Sequence, residues 1–522
     1  MKFPTPTNNA LFSKAQNQSP TPNKKTKDMK KKHLLPLLFL LFPLTAITAQ
    51  AQNEKEDEIE SETLEIPQRY RLRVSFRDKK ENPYSVKRPQ EFLSPKAIER
   101  RKRLGIKVDA YDLPVTPKYL RALEQNGCTI YNVSKWNNTA IVEVGDTACI
   151  TQLAQLPFVI GVKCVWIGPK EISFGKDADP FTLAALLPDN QEITEGLEAL
   201  RREELEKDST NYAYRHKHYG SGFRQAEMLQ ADQLHEMGFR GEGMTIAVID
   251  GGFHNADLVV PEARILGTRN FVHPGYSVFY EPEDHGTMVL STIGANQKGR
   301  LVGTAPAAQF YLLQSEDGNS EQIVEEDNWC AAVEYADSLG CDVISTSLGY
   351  YKFDEGRNNH AYSDLDGQTA ANSRAASLAA SRGMLVLNSA GNEGDGTWKK
   401  IGFPADAKDI IAVGATDSKG VNTYFSSLGY SADGRVKPDA MAMGGRSAVI
   451  SETNNVRFVN GTSFSCPILA GAVTCLWQAF PNKRPTEIIK AVQQSGNFAN
   501  HPNEVMGYGI PNLKKAYEIL KK

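Results

Sequence analysis

Five short, mostly apolar runs recur from residue 245 onward in this 522-residue chain, at residues 245–250, 310–313, 343–346, 385–388 and 410–413. Each is apolar almost throughout instead of alternating with polar residues, the pattern of a strand covered on both faces in a parallel sheet. Stretches of helical length, 286–293, 329–339 and 371–381, fall between some of them. Such alternation predicts an α/β domain, doubly wound around a mostly parallel sheet. Right-handed crossovers then bring the carboxyl ends of the strands to one edge, where binding sites form in such sheets.

Four polar residues fall at strand ends or helix starts of this pattern. Asp250 closes the first run and is followed by Gly251-Gly252. A carboxylate there is costly to bury without a partner, and an imidazole N–H is a suitable one. His285 stands before Gly286-Thr287-Met288-Val289, again a helix start. Asn392 lies in Ser389-Ala390-Gly391-Asn392-Glu393-Gly394, a glycine turn that leaves its amide free to point outward. Ser463 lies in Asn460-Gly461-Thr462-Ser463-Phe464-Ser465-Cys466-Pro467, directly before a small and apolar run, 468–477, of helical length. In the first helical turn its oxygen sits beside unpaired N–H groups and the positive end of the helix dipole. An oxyanion developing there meets donors already aimed at it.

Taken singly, each residue has a plainer reading. Thr462 or Ser463 can be an N-cap, Asp250 a metal ligand or turn residue, His285 a satisfied core histidine, and Asn392 a turn former. Together they supply a nucleophile, a base, a carboxylate to orient the base and an oxyanion donor.

These blocks resemble the signature blocks of the subtilisin-like serine peptidases (subtilases), and the chain order Asp, His, Ser is that of subtilisin. An α/β-hydrolase would require G-x-S-x-G and the order Ser, Asp, His; residues 461–465 lack the closing glycine. The resemblance covers about residues 219–520 and implies catalytic roles for Asp250, His285 and Ser463, with Asn392 in the oxyanion hole. It also implies that Ser347, Leu348 and Gly349 bind substrate backbone and form one wall of the S1 pocket, with Ala390 and Gly391 opposite. Gly303-Thr304-Ala305-Pro306 and Lys437-Pro438-Asp439 sit where the family has similar segments. Two departures are mild: Phe464-Ser465 replaces the usual Met-Ala, and Asp-Gly-Gly replaces the common Asp-Ser/Thr-Gly. Neither changes a group that moves a proton. Around residues 296–300 the strong calcium loop of the family has no clear match. No metal ligand and no cofactor is therefore assigned, and calcium is left open.

By the same resemblance, residues 70–166 form an N-terminal inhibitory prodomain that assists folding and is cleaved later. Their own pattern is that of a small α+β domain: strands at 70–76, 129–133, 139–144 and 162–166, a helix through Leu123, and another at 147–156. Leu93-Ser94-Pro95 reads as staple, N-cap and first-turn proline of a basic helix, 96–104, and Thr116-Pro117 repeats the cap-and-proline signature. For the basic segment 96–103 the sequence offers no purpose. Further upstream, Met29-Lys30-Lys31-Lys32-His33, the apolar stretch 34–44 and Ala49-Gln50-Ala51 follow the basic, apolar, cleavable order of a secretory signal peptide. The apolar core is short for a membrane span, a retained N-terminal anchor is the competing reading, and Met29 is a candidate start.

The expected organisation is a leader at 1–51, an acidic linker at 52–66, the prodomain at 67–167, a polar connector with a processing site at 168–218, and the peptidase domain at 219–522. The formal net charge is -3, but residues 1–51 hold eight lysines and one aspartate, leaving the remainder strongly acidic. That balance gives no support for nucleic-acid or anionic-membrane binding. Seven cysteines, an odd count without CxxC or zinc-like spacing, predict buried thiols rather than a disulfide framework. The expected function is a secreted (extracellular or periplasmic) serine endopeptidase made as a zymogen. Its partners would be protein or peptide substrates and its own prodomain. The alternative is a catalytically inactive subtilase-fold protein with a peptide-binding or structural role.

Overall fold

The computed structural model describes residues 63–65, 68–169, 171–173, 209–279 and 283–522. The leader and residues 174–208 of the connector lie outside them. Among the described residues the main sheet has seven strands, all parallel. Their order is Ala440–Met443, Ile411–Thr416, Leu385–Ser389, Val343–Thr346, Thr245–Asp250, Gln309–Gln314 and Ile265–Asn270. After Thr245–Asp250 the chain lays Ile265–Asn270 at the edge, returns to place Gln309–Gln314 between the two, and then jumps to the other side of Thr245–Asp250 at Val343–Thr346. That reversal is a topological switch point, and the carboxyl ends around it lead into Asp250, Ser347 and Ala390.

Successive residues of the central strands face opposite layers. Ile246 and Val248 join a core with the helices His285–Gly294 and Thr462–Ala479. Ala247 and Ile249 join one with Val324–Leu339 and Ala371–Ser381. The helix Thr462–Ala479 is buried on all sides from Phe464 to Trp477, as its small and largely apolar sequence requires.

Two strands have no counterpart among the five apolar runs. Ile265–Asn270 is a partly exposed edge strand, and Ala440–Met443 is an Ala-Met repeat without β-branched residues. The helix Val324–Leu339 starts five residues before the expected 329, because Glu325, Glu326 and Asp327 occupy its first turn, where carboxylates suit the dipole. Between Phe223–Met228 and Ala231–Glu236 the chain breaks at Gln230 (φ 59°), so the region around 227–234 holds two short helices instead of one.

Residues 70–167 fold into an antiparallel sheet, in the order Thr129–Ser134, Thr139–Val144, Tyr70–Phe76 and Val159–Ile167, over a core that includes Leu72, Val74, Leu123, Val142 and Leu153. Ser94 Oγ caps the basic helix Pro95–Arg103, accepting from Ala97 N–H at 3.1 Å. Thr116 does not cap the helix Pro117–Gln125; its hydroxyl donates to the Lys80 carbonyl at 3.2 Å.

The other face of this sheet rests on the larger α/β domain, with Trp136, Ile141 and Val165 joining the core around Val324–Leu339. Polar contacts surround them. Arg73 forks onto Asp327 at 2.7 and 2.6 Å, and Glu334 accepts from Ser134 Oγ, Lys135 N and Trp136 N. The basic helix now has a purpose. Arg100 and Arg101 are buried and reach Asp337 at 2.5 and 3.0 Å, and Lys135 reaches it at 3.1 Å. Burial alone would raise the Asp337 pKa, but Lys135, Arg101 and Arg100 outweigh it and hold the carboxyl well below the usual range. All seven cysteines are free thiols, five of them buried. No helix among the described residues is long and apolar enough to cross a membrane.

Candidate active site

Asp250 ends its strand fully buried, and the chain turns at once through Gly251. Its Oδ1 accepts from Gly251 N–H at 2.9 Å and from His285 Nδ1 at 2.7 Å. A carboxylate only accepts, so Nδ1 carries a proton, and once the ring is neutral the lone pair is on Nε2. Phe464 covers part of the imidazole, with ring centroids 5.6 Å apart and planes at 52°.

Ser463 is the second residue of the helix Thr462–Ala479, so its backbone N–H has no intrahelical acceptor. The N-cap is Gly461, at φ 149°, and neither Thr462 nor Ser463 caps with its side chain. A Cβ on Gly461 would also stand 3.5 Å from the Phe464 ring and 3.7 Å from Asn392 Nδ2. Pro467 lies inside the helix, and its missing N–H would have bonded the Ser463 carbonyl. Ser347 Oγ donates to that carbonyl instead, at 2.8 Å. In return Ser463 Oγ donates weakly to the Ser347 carbonyl at 3.3 Å; among the described residues it makes no hydrogen bond to His285. The helix break thus ties the serine to the segment after Val343–Thr346.

Asn392 is exposed after Leu385–Ser389, and its Oδ1 accepts from Thr462 N at 2.9 Å and Thr462 Oγ1 at 3.0 Å. The atom facing a backbone N–H must be the acceptor, which settles the amide orientation and leaves Nδ2 facing the space beside Gly461. Thr462 Oγ1 also accepts from Gly391 N at 3.2 Å. Gly391 has φ 109°, and a Cβ there would approach Ser427 Oγ to 2.8 Å. Ala390 is buried and Gly349 exposed, while the Leu348 carbonyl is held by Asn388 Nδ2 at 3.1 Å. Asp250, His285, Asn392 and Ser463 therefore gather at one edge of the sheet, with Ser347 bound directly to Ser463.

The sequence profile of the Subtilase family matches residues 241–509, just over half of the chain. The chain belongs to the subtilase family. Its N-terminal part, residues 71–176, matches the peptidase S8 propeptide domain of Bacteroidota. This subtilase is 27% identical to subtilisin NAT of Bacillus subtilis subsp. natto over 321 residues, 60% of this chain and 77% of that one. It is 28% identical to subtilisin Savinase of Lederbergia lenta over 293 residues, 55% of this chain and 96% of that one. A crystal structure of MycP1 with the N-terminal propeptide removed aligns with 56% of this chain and 96% of its own, at 20% identity and a TM-score of 0.46. The chain is thus a subtilisin-like serine endopeptidase carrying a propeptide.

Several residues at this subtilase site were not legible beforehand. Glu283 receives the His285 backbone N–H at 3.1 Å, and Glu316 lies close enough to influence the imidazole. Burial opposes a charge on His285, but the charge and hydrogen bond of Asp250, with Glu283 and Glu316, push its pKa up to about 9. Gln322 grips the end of the prodomain, receiving Ile167 N–H at 2.9 Å and donating to its carbonyl at 3.2 Å. A lone glutamine in a polar loop offers no sequence signal for such a role.

Proposed function

We propose that this subtilase cleaves peptide bonds of proteins through Asp250, His285 and Ser463, with Asn392 Nδ2 and the Ser463 N–H as the oxyanion hole. The observation that carries the reading is the gathering of these groups at the switch-point edge, with Nδ1 of His285 already committed to Asp250. Ser463 Oγ exchanges its weak bond to Ser347 for one to Nε2. Such bonds are often loose before substrate arrives. Oγ then attacks the scissile carbonyl carbon while its proton passes to Nε2, and the carbonyl electron pair moves onto oxygen between the two donors. Collapse breaks the C–N bond, and Nε2–H protonates the leaving amine, which leaves an acyl-Ser463 ester. Water gives its proton to Nε2 and attacks the ester, and Ser463 leaves with the proton returned to it.

The same reading makes residues 67–167 an intramolecular inhibitor in a zymogen that is secreted through its leader. Support comes from the charged seam on Asp327, Glu334 and Asp337. It comes also from Gln322, which holds the last prodomain strand beside the loop that follows Gln309–Gln314, the neighbour of the Asp250 strand.

Asn392→Ala in the mature enzyme is expected to lower kcat by about 10²- to 10³-fold with little change in KM, the scale of losing one oxyanion donor. Steady-state kinetics decide it, and an unchanged kcat would remove Asn392 from the hole. A pH profile tests the base. His285 is neutral only above its pKa, so kcat/KM should climb with pH through about 9, and Glu283→Gln should move that limb downward. Stability runs the other way: the charged pair stabilises the fold below the ordinary imidazole value of about 6.5 and is lost as pH rises through the elevated one. An acid limb that Glu283→Gln leaves in place would remove Glu283 from the causes of the shift, leaving Asp250 as its main source.

A further inference from the structure

The loop from the strand Gln309–Gln314 to the helix Val324–Leu339 carries three glutamates to one point. Carboxylate oxygens of Glu316, Glu321 and Glu325 lie within 4.8 Å of one another. Glu316 and Glu321 are half-buried, and Glu325 is 0% exposed. Nearby cations are engaged elsewhere, Arg73 with Asp327, His360 with Glu326 and His285 with Asp250, and among the described residues none forms an ion pair with the three glutamates.

A second observation points to a ligand. Glu325 Oε1 accepts from Gln322 N–H at 3.2 Å, but its buried Oε2 has no hydrogen-bond partner among the described residues. Tyr350, just past Gly349 and 1% exposed, has an equally unpartnered hydroxyl. Crowded, unpaired carboxylates of this kind call for a counter-ion.

We propose that Glu316, Glu321 and Glu325 bind a divalent cation of the calcium type. All three donors are hard carboxylate oxygens, with no cysteine or histidine that would favour zinc. Calcium accepts such a set of carboxylate oxygens in a flexible shell, whereas magnesium demands near-ideal octahedral geometry and usually keeps several waters. The ion joins the end of one sheet strand to the first turn of a helix and so pins the loop between them. Ser315, next to Glu316, donates its N–H to the Asp250 carbonyl at 3.0 Å, and Gln322 of the same loop holds Ile167. The ion thereby steadies both a border of the active site and the seat of the prodomain.

The test uses the full chain carrying Ser463→Ala, stripped with EDTA, against the same chain with Glu325→Gln or Glu321→Gln added. In calorimetric titration with calcium chloride, each glutamine variant should bind one ion fewer than the parent, whose site has a Kd on the order of 10⁻⁴ M. About 5 mM calcium should raise the parent's unfolding midpoint by about 3 °C more than it raises the variants'. Should Glu325→Gln not fold, Glu321→Gln alone decides, since its glutamate is half-buried. Equal stoichiometry in parent and variants overturns the proposal, as does a parent that binds no calcium. So does a parent that binds none while the mature Glu321→Gln enzyme loses cleavage beside lysine or arginine, which would assign the cluster to a substrate cation.

Discussion

Replacing Ser463 by alanine should lower kcat by roughly a million-fold, the loss found when the nucleophile of subtilisin is removed. The structure argues that this loss is chemical and not a failure to fold. Ser463 Oγ makes one weak bond, 3.3 Å to the Ser347 carbonyl, while the contact that secures the residue runs from Ser347 Oγ to the Ser463 carbonyl and survives the substitution. The unfolding midpoint should therefore stay within a degree or two of the parent, as for a change that breaks no buried contact. The variant chain should also keep residues 67–208 attached when purified alone, visible as a single band of full size. Peptide hydrolysis or self-processing that persisted in the purified variant would mean that another group attacks.

The second large effect is expected at Asp337, far along the helix from the catalytic edge. Its carboxylate, 0% exposed, meets Arg100, Arg101 and Lys135, all three from the prodomain. Asp337→Ala leaves those cations buried with only part of their compensation: Arg101 retains Asp112 at 2.6 Å, and Arg100 retains the Cys341 carbonyl. Breaking a buried pair from one side costs about 3–5 kcal/mol. Residues 68–176, supplied separately to the mature enzyme, should then inhibit the variant about 10²- to 10⁴-fold more weakly than the parent. The kcat of the mature variant should be unchanged, because Asp337 touches none of the catalytic groups. Docking also has an acid limit of known sign. A carboxyl whose pKa is depressed on docking favours the complex above its ordinary value of about 3.9 and ceases to as pH falls through the lowered one. Inhibition that Asp337→Ala leaves untouched would place the anchor of the prodomain elsewhere.

Much of the peptidase fold, and the placing of Asp250, His285, Asn392 and Ser463 at one edge of its sheet, could be read from the chain alone, for a physical reason. Strands buried on both faces leave continuous apolar runs, and polar side chains at that edge sit beside glycines because the backbone turns sharply where a strand delivers them. Asp250-Gly251-Gly252 and Gly461-Thr462-Ser463 are of this kind. The supporting contacts were hidden because they join residues far apart in the chain. Pro467 looks like an ordinary small residue in an apolar helix until Ser347 is seen to take the carbonyl it leaves free. Thr462 resembles a cap, yet it holds the amide of Asn392. Charged residues carried the least signal. Glu325, Glu326 and Asp327 fell outside the expected helix 329–339, whereas Asp327 is the seat of Arg73 and Glu325 belongs to an acidic cluster. The basic run 96–103 was opaque for the same reason: its partner, Asp337, lies more than two hundred residues away.

Labelling of the matured protein with a fluorophosphonate, followed by peptide mass spectrometry, tests the catalytic assignment most directly. One phosphonyl group is expected, on Ser463, with loss of fluoride, and none on the chain carrying His285→Ala over the same time. A fully matured protein that stays unlabelled, or that carries the label on a different serine, would contradict it.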